Sequence, residues 1–167
     1  MIDIKKGICQ IICQNQIKGT GFYIGQGRIV TATHVVEESL DVQACFMEND
    51  KNQYIYDCKL QEIQPENDIC ILLINEEQND LVLSEIKLSF KSIAINNKFL
   101  SYGYPGENQG NMAFISGTIL NAHDGCTDTI YTVELEVERG KLHNYQGFSG
   151  APVIIEDVAT GICVYQN

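Results

Sequence analysis

The stretch Gln146-Gly147-Phe148-Ser149-Gly150-Ala151-Pro152, followed by Val153-Ile154-Ile155, decides how the rest of the chain is read. A serine flanked by glycines, just ahead of an apolar run, reads as a hydroxyl on a tight turn leading into a strand. Glycine takes backbone conformations that other residues resist. Such a turn aims several N–H groups into one small space, where they can hold a developing oxyanion beside a hydroxyl placed to attack a carbonyl. Taken alone, the string fits an ordinary surface turn equally well. Its meaning depends on what lies upstream.

A serine hydroxyl is a poor nucleophile unless a base takes its proton, and that base needs a partner to fix its tautomer. The chain holds three histidines, His34, His123 and His143. His34 lies in Gly27-Arg28-Ile29-Val30-Thr31-Ala32-Thr33-His34-Val35-Val36, and a well-placed acid, Asp68, lies in Glu66-Asn67-Asp68-Ile69-Cys70-Ile71-Leu72-Leu73. Together with the serine turn, these segments resemble the three signature segments of trypsin-like (chymotrypsin-fold) serine peptidases, in the family's order of His, Asp, Ser. The spacing is that of the smaller bacterial members, the HtrA-like and related trypsin-like domains. The resemblance covers nearly the whole chain.

Carried over residue by residue, the resemblance implies His34 as general base, Asp68 as its orienting acid and Ser149 as nucleophile. The N–H groups of Gly147 and Ser149 would form the oxyanion hole. It also implies a fold of two six-stranded Greek-key β-barrels with the active site in the cleft between them. His34 and Asp68 would come from an N-terminal barrel over residues 1–88, and Ser149 from a C-terminal barrel over residues 89–167. No cofactor or metal is expected.

The strand signals agree with an all-β chain. Ile8 to Cys13 reads as a first strand. The runs Gly19 to Ile24 and Arg28 to Thr31, joined by Gly25-Gln26-Gly27, read as a hairpin that delivers the chain to His34. Thr33 is expected to cap a single helical turn there. Val42 to Met47 is a strand. Tyr54, Tyr56, Cys58 and Leu60 alternate with polar residues and predict a half-buried strand, which Pro65 ends. Ile69 to Ile74 is apolar throughout, as in a strand covered on both faces. Asn75 to Asp80 reads as a loop, and Leu81 to Asn97 as the connection between two halves. Phe99-Leu100-Ser101-Tyr102-Gly103-Tyr104-Pro105-Gly106 resembles a G-Y-P segment of many small trypsin-like domains. Met112 to Leu120 is a further strand. Tyr131, Val133, Leu135 and Val137 alternate with Thr132, Glu134, Glu136 and Glu138, a strand with a solvated carboxylate row on its outer face. Ala151 to Ile155 and Gly161 to Tyr165 complete the set. Short turns and no sustained helical period imply an all-β fold.

Bulk composition narrows the function. The chain has 167 residues, 44% of them hydrophobic, enough for a core in one compact domain or two small barrels. Its net charge of −11 argues against nucleic acid, whose phosphates need clustered Lys and Arg. No run approaches the roughly 18 apolar residues of a membrane span. The seven cysteines are odd in number, scattered and free of any C-x-x-C, so zinc has little support. They read as small apolar residues in a reducing, cytoplasmic setting. The start Met1-Ile2-Asp3-Ile4-Lys5-Lys6 has no signal-peptide layout.

The chain departs from the family at three places. Phe148 stands where digestive trypsins carry an aspartate that pairs with a new N-terminus after propeptide cleavage. That switch is unavailable here, so any regulation would come through loop ordering or a partner. The chain reaches Asn167 one strand short of the family pattern, which leaves an open edge and fits either a fragment of a longer protein or a domain completed by another segment. The resemblance places the specificity pocket beside His143, Asn144 and Tyr145 on one wall and Cys163, Val164 and Tyr165 on the other. With His143 rather than an aspartate at its base, a preference for Arg or Lys is not implied, and Gln, Glu or another polar residue fits better. His123 is read as a turn histidine.

The expectation is a serine endopeptidase acting on protein or peptide substrates, a regulatory or effector module of a bacterial defence or signalling system. An activating partner or further domains would fit the same reading. The alternative is a catalytically inactive domain of the same fold that binds peptides without cutting them.

Overall fold

A computed structural model describes residues 3–37, 39–48, 52–75, 83–89, 93–122 and 133–164. Six strands form the first unit. They are β1 (Ile8–Cys13), β2 (Gln16–Tyr23), β3 (Arg28–Ala32), β4 (Val42–Met47), β5 (Gln53–Gln64) and β6 (Ile69–Ile74). All pair antiparallel and close into a barrel in the order β1-β2-β3-β6-β5-β4. A single helical turn, α1 (Thr33–Val36), follows β3. The second unit is a five-stranded antiparallel sheet of β7 (Lys98–Gly103), β8 (Ala113–Ala122), β9 (Val133–Arg139), β10 (Pro152–Ile155) and β11 (Val158–Ile162). Its order is β11-β10-β7-β8-β9, so among the described residues β9 and β11 are its two edges.

Two hairpins turn in two residues without glycine. Gln14 and Asn15 (φ 51° and 61°) join β1 to β2, and Glu156 and Asp157 (φ 51° and 65°) join β10 to β11. Positive φ at both central positions twists the turn the way the strands twist, and Asn and Asp tolerate that conformation best. The Gly25-Gln26-Gly27 turn bends β2 into β3, as the sequence predicts.

The barrel core is built from alternate residues of its strands, among them Ile11, Ile29, Ala44, Phe46 and Leu72. A second cluster, with Ile8, Phe22, Val30, Ile86 and Tyr104, lies between barrel and sheet. A third, with Phe99, Ile115, Ile119, Phe148 and Val153, fills the sheet side. Residues of the 83–89 segment tie the two units. Ile86 N–H donates to Tyr23 C=O at 2.9 Å, Ala159 N–H to Lys87 C=O and Ser89 N–H to Ala159 C=O, each at 2.8 Å.

Several local expectations need correction. Thr33 does not cap α1: Ala32 occupies the cap, and the buried Thr33 hydroxyl has no hydrogen-bond partner. β5 runs on to Gln64 through a bulge between Leu60 and Glu62. Tyr56 is buried on it, but Tyr54 and Leu60 are 43% and 46% exposed, although both pair inside the barrel, with Phe46 and Leu72. β6 is buried on one face only, at Cys70, Leu72 and Ile74. The last strand lies at Val158–Ile162, a few residues before the predicted Gly161 to Tyr165. The carboxylate row of β9 is exposed, with Glu138 held by Lys98 at 2.7 Å and by Thr118. Most of the predicted loop from Asn75 to Asp80, together with His123, Cys126, Tyr131 and Tyr165, lies outside the described residues.

Candidate active site

The register of β3 against β6 decides where the base meets its acid. Ala32 pairs with Ile69, so the residues that follow Ala32 lie beside those that precede Ile69. Thr33 N–H donates to Asp68 C=O at 3.0 Å. His34 N–H donates to Asp68 Oδ1 at 2.9 Å, and His34 Nδ1 lies 2.5 Å from Asp68 Oδ2. Asp68 reaches this position from the left-handed region (φ 53°, ψ 36°), closing the 3-10 turn Pro65–Asn67 with its N–H on Pro65 C=O. A short polar side chain tolerates that region, and Asp is one of the few residues that does.

A carboxylate only accepts hydrogen bonds, so the proton on the ring sits at Nδ1. Nε2 is then left with its lone pair, the form a general base needs. The His34 side chain is 38% exposed and that of Asp68 12%, so the ring reaches solvent while the acid lies behind it. Two thiols support α1 from beneath: Cys13 donates to Val35 C=O at 3.6 Å and Cys70 to Ala32 C=O at 3.8 Å. Burial raises the pKa of both, Cys70 to about 12, so they stay protonated and pack as small apolar groups.

The Ser149 turn comes from the second unit but is seated on the first. Ser149 C=O accepts from Thr20 N–H at 2.8 Å. Thr20 Oγ1 donates to Gly147 C=O at 2.8 Å and accepts from Tyr104 N–H at 2.9 Å. Thr31 Oγ1 donates to Thr20 C=O at 2.7 Å. Thr20, fully buried, is therefore the hub joining barrel and turn. A Cβ on Gly19 would lie 2.6 Å from the Val35 side chain and 2.9 Å from Ser149 C=O. The serine backbone thus lies against the helical turn that carries His34. Gly150 (φ +88°) approaches so closely that a Cβ there would stand 2.1 Å from Thr20 C=O and 3.0 Å from Ala32 N.

Around Ser149 the backbone donors are sorted by these bonds. Phe148 N–H goes to Tyr145 C=O, Gly150 N–H to Cys163 C=O and Ala151 N–H to Phe148 C=O, at 2.8–3.0 Å. Gln146 C=O accepts from Gly106 N–H at 2.8 Å. The chain contains no cis peptide among the described residues, and in a trans peptide N–H and C=O point in opposite directions. Gly147 N–H is thereby turned away from Gly106, and Gly147 itself takes φ +89°. Phe148 is buried, with Tyr145 edge-on at 6.4 Å, and Gly103 leaves room for its ring. Apolar packing therefore anchors this position, where trypsins use an aspartate.

The predicted pocket residues separate. Tyr145, Cys163 and Val164 line a cleft of about 460 Å³ with Phe148, Ile162 and the β9 residues Val133, Leu135 and Val137. Burial pushes the Cys163 thiol up to about 11, and its sulfur lies 3.5 Å from Ser101 Oγ. His143 and Asn144 do not line this cleft; their backbone N–H groups bond the carboxylate of Glu107, at 3.3 Å and 3.0 Å. Sequence reasoning missed Thr20, Gly106 and Glu107. Thr20, between two glycines, carried a faint signal of close backbone approach, and Glu107 carried none.

Comparison with known proteins agrees with this fold. The sequence profile of the trypsin-like peptidase domain matches residues 19–161. The Arabidopsis thaliana protein called protease Do-like 12, mitochondrial, is 26% identical over 162 residues, 92% of this chain. The chain spans only 30% of that relative's length. Among solved structures, Deg5 superposes with a TM-score of 0.76 at 16% identity, over 97% of this chain and 80% of that one. A serine endoprotease from Yersinia pestis gives 0.68 at 19% identity, over 95% and 53%. The barrel-and-sheet fold, the clamped His34 and Asp68 and the profile match across most of the sequence lead to one conclusion: the chain belongs to the trypsin-like peptidase domain family.

Proposed function

We propose that this protein hydrolyses peptide bonds as a serine endopeptidase, with His34, Asp68 and Ser149 as its triad. The observation that carries the proposal is the two-point grip of Asp68 on His34, on the same patch of barrel where the Ser149 turn is seated. Ser149 Oγ attacks the scissile carbonyl carbon while Nε2 of His34 takes its proton. The proton passes to the leaving amine as the C–N bond breaks. Water then enters by the same route and releases the acid. Asp68 holds the ring and stabilises the imidazolium formed in between. The N–H groups of Gly147 and Ser149 receive the oxyanion, and each such donor contributes about 3 kcal/mol to the barrier reduction.

The substrate we propose is an extended polypeptide pairing with a strand edge, with an apolar side chain in the cleft beside Tyr145, Cys163 and Val164. The apolar lining favours this over the basic residues that trypsins take. The setting we propose is a reducing, cytoplasmic one, as a regulatory or effector module of a bacterial defence or signalling system. Free thiols at Cys9, Cys13, Cys45, Cys58, Cys70 and Cys163 support the compartment. Among the described residues no helix is long and apolar enough to cross a membrane.

A fluorophosphonate probe and a peptide-library digest test the reading. Labelling and cleavage by the wild type, both abolished in Ser149→Ala and His34→Ala, are the expected result. A folded wild type that neither labels nor cuts, with or without cell extract, would favour the peptide-binding alternative.

A further inference from the structure

We propose that Glu107 is a positioning residue that holds the oxyanion hole in its working orientation in the uncleaved chain. The inference rests on the peptidase reading above and adds to it a residue outside the triad and hole. Glu107 lies in the loop between β7 and β8, on the 3-10 turn Gly106–Asn108. Its carboxylate reaches across 36 residues of sequence to the turn that precedes Gly147. Oε1 accepts His143 N–H at 3.3 Å and Oε2 accepts Asn144 N–H at 3.0 Å. Asn144, fixed in this way, passes the constraint on, because its Oδ1 accepts Gln146 N–H at 2.8 Å. The neighbouring Gly106 N–H binds Gln146 C=O at 2.8 Å.

Gln146 is therefore held at both backbone polar groups, its C=O directly by Gly106 of this loop and its N–H through Asn144, which Glu107 fixes. That matters because rotation about the bonds flanking the Gln146–Gly147 peptide would give its plane two opposite orientations. In one, Gly147 N–H faces the developing oxyanion. In the other, the plane has rotated and the Gln146 carbonyl faces it, which repels negative charge. Glycine at 147 offers little steric resistance to the rotation. The bonds from Glu107, Asn144 and Gly106 are what select the first orientation. The loop is itself anchored to the barrel, where Gln10, 7% exposed, donates from Nε2 to Gly110 C=O at 2.7 Å. A fixed support on β1 thus reaches the hole through a chain of hydrogen bonds. With buried Phe148 where trypsins use an acid and a new N-terminus, this is a route to a formed hole without cleavage.

The test compares wild type, Glu107→Ala and Glu107→Gln in the full chain. Glu107 is exposed, so neither change opens the core. Two readouts are needed. The first is amide hydrogen exchange at His143, Asn144 and Gln146. The second is affinity for a peptidyl boronic acid, set against the same peptide as an unreactive amide. The boronic acid accepts Ser149 Oγ at boron and forms a tetrahedral anion, so it senses the hole; the amide senses only the cleft. Glu107→Ala is expected to speed exchange at those amides and to weaken the boronate roughly tenfold to a hundredfold, short of the roughly 10²–10³-fold that outright loss of a hole donor costs. The amide is expected to stay within about twofold, since uniform binding is untouched. Glu107→Gln, which keeps an acceptor oxygen, is expected to recover part of both effects. Unchanged exchange, or equal weakening of boronate and amide, overturns the role of Glu107. A wild type that forms no boronate adduct overturns the peptidase reading instead.

Discussion

Replacing Asp68 by asparagine exchanges one carboxylate oxygen for an NH₂ group and keeps the side chain's shape. Asparagine tolerates the left-handed backbone found at this position (φ 53°), so the turn after Pro65 survives. Its remaining oxygen can still accept His34 N–H, the 2.9 Å bond that Oδ1 makes. The new NH₂, however, faces Nδ1, where Oδ2 sits at 2.5 Å. Two donors cannot share that contact, so the ring proton moves to Nε2 and Nδ1 becomes the acceptor. Nε2 then has no lone pair for the Ser149 proton.

The stability cost is that of one charge-assisted hydrogen bond exchanged for a neutral one, about 1 kcal/mol. For a chain of this size that is a fall of roughly 2–4 °C in Tm. The catalytic cost is far larger, since the wrong tautomer in such a triad lowers turnover about 10⁴-fold, or roughly 5.5 kcal/mol. Asp68→Asn should therefore fold and bind an unreactive peptide while losing almost all kcat/KM and labelling by fluorophosphonate. Thermal melts and single-turnover labelling on one preparation separate the two costs. Activity within tenfold of wild type, in a variant that has folded, would refute the argument that Asp68 sets the tautomer.

Two further outcomes follow from the same geometry. Gly150→Ala places a methyl group 2.1 Å from Thr20 C=O and 2.4 Å from Thr31 Oγ1 at φ +88°. It should lower stability by on the order of 3 kcal/mol and abolish labelling. Gly161→Ala, with nothing within 4 Å, should do neither, and urea midpoints compare the pair. The Cys70 thiol rises from an ordinary 9.0 to about 12, mainly through burial and secondarily through Asp68. The unfolded chain then loses this proton at lower pH than the folded one. Stability present below pH 9 should fall by up to about 1.4 kcal/mol per pH unit above it. Cys70→Ala should make that alkaline slope shallower in urea titrations at pH 8 to 11, and an unchanged slope would show that the thiol carries no such linkage.

Much of the architecture was legible from local chemistry. β1 and β4 lie where apolar runs place them, because strands buried along most of their length read as nearly continuous apolar segments. The Gly25-Gln26-Gly27 turn and the break at Pro65 were legible because glycine and proline restrict or free the backbone locally. The non-glycine turns at Gln14-Asn15 and Glu156-Asp157 were not, since nothing in those pairs demands φ > 0 until the strands around them are paired. The burial of β5 was misread at Tyr54 and Leu60 because alternation tells which residues share a face, not whether another element covers it.

The sequence by itself determined the residue types, their order and the strand periods, and with them the resemblance that singles out His34, Asp68 and Ser149. Only the tertiary structure decided that Asp68 holds His34 by two bonds, that Thr20 seats the serine turn on the barrel and that Glu107 grips the backbone of His143 and Asn144. It also separated Tyr145, Cys163 and Val164, which line the cleft, from His143 and Asn144, which do not. The reason is physical. Hydrogen bonds between a side chain and a backbone group 34, 36 or 127 positions away depend on strand register and turn direction. A carbonyl or N–H is the same group in nearly every residue, so its partner leaves no mark on the sequence.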